Sequence, residues 1–147
     1  MDIAECLTVI ESLCAGESPP QDGRAEPVPA GAGHRTVELA TSHGTALGDA
    51  GERQRAAEDL QAYREAIAER LHERWGRQAP WGQLTVRLRA GRGEEIPEPW
   101  AGLSLLTDEL DVWQATGTGR WVALGVADRD DADEIRLLAT VTETPPP

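Results

Sequence analysis

Glu109-Leu110-Asp111-Val112-Trp113-Gln114-Ala115-Thr116-Gly117-Thr118-Gly119-Arg120-Trp121-Val122-Ala123-Leu124-Gly125-Val126-Ala127 is the stretch that decides the fold. Apolar residues alternate with others on both sides of a glycine-rich break, the pattern of two strands joined by a tight turn. Strands are predicted at about 109–115 and 120–127, with Gly117-Thr118-Gly119 as a three-residue loop in which Gly119 is free to take a positive φ. In that register Val112 faces Leu124 and Leu110 faces Val126 on one side of the sheet. Trp113 lies opposite Ala123 on the other side, with Trp121 two positions along. Gly125 inside its strand marks a bulge.

Working outward, a third strand of this meander is predicted at 134–142, beyond an acidic turn from Asp128 to Asp133. On the N-terminal side, Pro99 opens a short helix from Trp100 to about Leu106. Leu84, Val86 and Leu88 alternate with Thr85, Arg87 and Arg89, which predicts the fourth strand.

The strongest helical signal runs from Ala50 to Gly76. Ala56, Leu60, Tyr63, Ile67, Leu71 and Trp75 keep helical spacing, Asp49 and Glu52 resemble a capping box, and Gly76 with Pro80 supplies the stop. Ile3, Cys6, Leu7, Ile10, Leu13 and Cys14 form one apolar stripe on a short amphipathic helix over 2–14. So short a helix needs a surface to dock on, whether its own domain, a second copy or a partner.

The expected architecture is α+β, a four-stranded, mainly antiparallel sheet packed on one long helix, with a short N-terminal amphipathic helix. All five tryptophans and the single tyrosine lie between residues 63 and 121, so the folded body is placed at 49–144. Residues 1–14 are the N-terminal helix. Residues 15–48 are a Pro/Gly/Ala-rich linker with an edge strand at 36–40, and 145–147 are a proline tail. The second face of the sheet also looks apolar, and the N-terminal helix is the nearest element to cover it.

The net charge of −12 opposes binding to nucleic acid and to anionic membranes, both of which call for cations, and suits a basic protein partner. Every basic residue is Arg, and Lys, Asn and Phe are absent, a mark of GC-rich coding of the actinobacterial kind. Two cysteines make no disulfide framework, and the acidic start is not a secretory signal, so the expected location is cytoplasmic.

Catalytic signals are weak. His34, His43 and His72 have no metal-ligand spacing with each other or with Cys6 and Cys14. Glu94, Glu95 and Glu98 read as partners of nearby arginines rather than an acid–base pair. The Asp128–Glu134 run lacks the calcium-loop pattern, with Ala132 at a ligand position. No catalytic residue, metal site or cofactor is assigned. Arg87, Arg89 and Arg92 form the one local basic cluster, a candidate anion site. An aromatic centre of Trp113 and Trp121 with an acidic rim of Asp128, Asp130 and Asp131 is the candidate partner-binding surface. The expected function is a small, non-enzymatic protein-binding module, immunity- or antitoxin-like or a regulatory adaptor. Two alternatives stand beside it: a small-molecule binder or enzyme with a pocket between sheet and helix, using Arg87, Arg89 and Glu95, and a homodimer formed through the N-terminal helix.

Overall fold

The computed structural model describes residues 2–16, 24–25, 34–43, 49–130 and 132–147. Its elements are α1 (Ile3–Cys14), β1 (Arg24–Ala25), β2 (His34–Thr41), α2 (Ala50–Trp75), β3 (Trp81–Gly82), α3 (Leu84–Gly91), α4 (Trp100–Leu106), β4 (Glu109–Ala115), β5 (Arg120–Ala127) and β6 (Arg136–Thr142). The chain is α+β, with one antiparallel sheet of order β1-β2-β6-β5-β4-β3. Both outermost strands are only two residues long.

The β4–β6 meander forms as the alternation predicts, but its first hairpin is shifted by one residue. Ala115 pairs with Arg120, Trp113 with Val122 and Asp111 with Leu124. Four residues, Thr116 to Gly119, therefore make the loop, with Gly117 and Gly119 both at positive φ, near 79° and 69°. A one-residue slip moves every side chain of a strand to the other face. Trp113 consequently joins Val122, Leu124, Leu137 and Val141 in the main core, and Val112 turns to the other side with Ala123 and Trp121.

The expected strand at 84–89 is instead helix α3. The segment is too short for its apolar spacing to separate the two periods, and the backbone decides between them. Trp81–Gly82 takes the sheet position on β4, and Gln83 N–H donates to the Asp108 carbonyl at 2.9 Å, which turns the chain off the sheet.

β2 is longer than the predicted 36–40 strand. It pairs along its length with β6, with an irregularity between Glu38 and Ala40, and two-residue β1 lies outside it. Residues on both sides of the expected boundary at Asp49 thus share one sheet and one core, in which Val37 is 1% exposed.

α2 crosses one face of the sheet and buries Leu60, Ile67, Ala68 and Leu71 there. Asp49 caps it by accepting from Gly51 N–H, and Gly76 ends it. α1 lies beside α2 on the same face, against α2 and β6, and does not cover the second face as expected. Its stripe of Cys6, Ile10, Leu13 and Cys14 is buried in the chain's own core. Two arginines fasten it: Arg120 donates to the Cys14 carbonyl at the helix end, and Arg74 pairs with Glu11. Burial pushes the Cys6 thiol up to about 11, with Asp2 and Glu5 adding to the effect.

The second face is covered at its β4 end by a smaller cluster. Trp100 and Leu103 from α4 pack on Leu110 and Ala123, with Trp81, Ile96, Val112 and Trp121 around them. The Trp100 indole N–H donates to the Thr144 carbonyl at 3.0 Å and ties the C-terminal segment to α4. Toward β2 the same face carries buried Leu138, Thr140 and Thr142, and the hydroxyls of Thr36 and Thr140 meet at 2.7 Å.

Candidate functional site

α3 and α4 are short, and each spends only one side on the fold. α4 buries Trp100, Leu103 and Ser104, with Thr107 following, an i, i+3, i+4, i+7 set. α3 buries Val86, next to fully buried Gln83 at its cap. The two helices are tied by Arg87, whose Nη1 donates to the carbonyls of Ser104 at 2.7 Å and Thr107 at 3.0 Å. That guanidinium satisfies carbonyls at the end of α4 which have no partner within the helix.

Three large apolar side chains stand among the groups left outside. Leu84 is 60% exposed, Leu88 50% and Leu105 67%. Leu84 and Leu88 are one turn apart and share a side of α3. The charges around them are unevenly used. Arg89 and Glu94 form a two-pronged pair at 2.9 and 2.7 Å, which holds the Glu94 carboxyl below its usual range. Arg92 caps α3 and is exposed, with no ion pair among the described residues. The Asp108 carboxylate, near the start of α3, lies 3.9 Å from Arg87 and 3.7 Å from Arg129.

The surface expected from the sequence is not assembled. Trp113 is 1% exposed beneath α2, edge-on to His72 at a centroid distance of 5.2 Å. Trp121 is half-buried on the opposite face. Asp128 follows the far end of β5, roughly 23 Å along the strand from Trp121. Asp131 lies outside the described residues. The acidic turn itself is organised around a cation: the Arg53 guanidinium donates to the carbonyls of Asp133 (2.8 Å), Asp130 (3.2 Å) and Asp128 (3.4 Å). Burial, with the nearby Asp108 charge, holds the Asp128 carboxyl above its usual range. Among the described residues no cluster of His, Cys, Asp or Glu is arranged to hold a metal ion.

The three-arginine anion site is likewise dispersed, with Arg87 on backbone carbonyls, Arg89 on Glu94 and Arg92 without an ion pair among the described residues. The leucine face is hidden in the sequence because alternation with Thr85, Arg87 and Arg89 gives Leu84 and Leu88 the pattern of a strand. Their i, i+4 spacing beside three arginines was the available signal.

A separate open cleft of about 530 Å³ lies between the end of β2 and the first turns of α2. Thr41, Ser42 and His43 form one wall, and Glu52, Arg55, Asp59 and Tyr63 the other, over Ala56 and Leu60. Ser42 is part of the sheet's own bonding, with its backbone and hydroxyl on Ile135. No helix among the described residues is long and apolar enough to cross a membrane. No family model, curated protein or solved structure matches this chain.

Proposed function

We propose that the chain is a small protein-binding module whose docking face is the leucine-bearing side of α3 and α4. One observation carries this reading: Leu84, Leu88 and Leu105 are each at least half exposed on two helices that pack together. Apolar side chains held out on a rigid, tied pair of helices suit burial against another protein. Immunity- or antitoxin-like action and regulatory adaptor action both fall within this class. The overall acidity still opposes nucleic acid and anionic membranes. This face, however, carries Arg89 and Arg92, so a basic partner steered by Asp128 and Asp130 is not the partner it suits.

The test is a triple variant, Leu84→Glu with Leu88→Glu and Leu105→Glu. All three side chains are exposed, so cooperative unfolding should be preserved. Partner capture, followed by cross-linking and mass spectrometry, should be lost. Undiminished capture by the folded variant removes this face from consideration.

A second reading rests on the cleft beside α2. Its size and its mixture of charged, hydroxyl and aromatic groups suit a small polar ligand. Native mass spectrometry of the purified protein tests it, and a retained metabolite lost in Arg55→Ala would favour it.

A further inference from the structure

We infer that the α3 face pairs with a second copy of itself, antiparallel about a two-fold axis. The inference rests on the protein-binding reading above and adds the identity of the partner. Contact about a two-fold axis requires a patch that complements itself. This patch does so in two respects.

The first is its apolar centre. α3 spans about 12 Å at 1.5 Å per residue. Leu84 and Leu88 stand one turn apart on its outer side, away from buried Val86 and Gln83. Setting two such helices antiparallel places Leu84 on the partner's Leu88 and Leu88 on the partner's Leu84. Neither helix then leaves a leucine without an apolar neighbour. Leu105, 67% exposed on adjoining α4, is a further outward leucine.

The second is charge. Asp108 stands at one end of α3, with Arg87 3.9 Å and Arg129 3.7 Å away, and Arg92 stands at the other. The Gln83 N–H to Asp108 carbonyl bond, 2.9 Å, brings Asp108 to the start of the helix. Arg92 caps the other end. Antiparallel pairing brings Arg92 to the partner's Asp108 at both ends of the contact. A parallel pairing would set Arg92 on the partner's Arg92. The Asp108 side chain is 71% exposed, and its contacts within the chain are longer than hydrogen bonds, so a closer cation has room. The opposed helix dipoles of antiparallel neighbours act in the same direction.

The experiment is sedimentation velocity of the full chain over a wide concentration range, with four variants. The wild type is expected to pass from monomer to dimer as concentration rises. Leu88→Glu should remain monomeric with an unchanged circular dichroism spectrum. Arg92→Asp and Asp108→Arg should each weaken the dimer about tenfold or more, and the double variant should regain it. Recovery in the double variant supports the antiparallel register. Failure to recover overturns that register, and a wild type monomeric throughout overturns the pairing itself. A monomer whose leucine face still captures a different protein would overturn self-pairing while leaving the protein-binding reading intact.

Discussion

Arg64 of α2 and Asp111 of β4 form an ion pair inside the protein, with side chains 8% and 2% exposed. Gln61 accepts from Arg64 Nε at 2.6 Å, and Glu109 lies 3.4 Å from the same guanidinium. The pair locks the long helix to one position on the strand. Removing one member leaves a buried charge without its partner, which costs about 3–5 kcal/mol. Asp111→Ala should therefore lose a substantial fraction of the stability of a domain this size. Arg64→Met combined with Asp111→Leu should recover much of it. Denaturant unfolding of the single and double variants measures both, and equal losses in the two would refute the argument.

Trp113 donates its indole N–H to His72 Nδ1 at 3.1 Å, and the Gln78 backbone N–H donates to the same nitrogen at 3.3 Å. Two donors on one nitrogen require the His72 proton to be on Nε2. Trp113→Ala should cost about 3–5 kcal/mol, as deletion of a buried aromatic does. His72→Ala should cost about 1–3 kcal/mol, chiefly by leaving the indole N–H unpaired. His72→Gln, which keeps an acceptor, should lose less. If Trp113→Ala is as stable as the parent in thermal unfolding, the tryptophan does not occupy the core position described above.

Cys6 ties stability to alkaline pH. Its folded pKa, about 11, lies above the ordinary thiol value of 9.0. Between those values the unfolded thiol ionises while the folded one stays protonated. The folded state then binds more protons, so stability falls as pH rises. The contribution is complete below pH 9 and lost as pH passes 11, at most about 2–3 kcal/mol. Cys6→Ala should flatten stability against pH in that window. An unchanged slope would show that another group carries the alkaline loss.

Gly125 is set by contact. β6 pairs straight through it, opposite Leu138, while on the β4 side the ladder stops at Asp111–Leu124 and resumes as a lone Thr107–Ala127 bridge. A Cβ at 125 would come within 2.7 Å of Leu110 Cδ2, 3.1 Å of the Glu109 carbonyl oxygen and 3.2 Å of Thr107 Cγ2. Gly125→Ala should destabilise by about 1–3 kcal/mol, the usual cost of overpacking. Leu110→Ala in the same chain should relieve part of the clash, which a double-mutant cycle would reveal as coupling between the two sites.

The sequence made the long helix legible because twenty-six residues of regular spacing, a capping Asp49 and a terminal Gly76 all agree. The meander was legible from the alternation of β4, β5 and β6. Arg64 was not, because an arginine on an amphipathic helix reads as solvated until the strand beneath it supplies Asp111. α3 was not, because eight residues satisfy a period of two and a period of 3.6 about equally well. The Trp113 surface failed on one residue of hairpin loop, since Gly117 and Gly119 serve a three-residue and a four-residue turn alike. The leucine face depends on the helical reading of α3 and is hidden for the same reason.

That hairpin has an evolutionary corollary. Thr116 to Gly119 form a surface loop, the kind of place where chains usually gain and lose residues freely. Here its length decides whether Trp113 or Val112 lies beneath α2. Deleting one residue is equivalent to rewriting the inward side of an entire strand at once, Asp111 and its ion pair included. Natural variants of this protein should tolerate many residue identities in the loop, given glycine where φ is positive, and almost no change in its length.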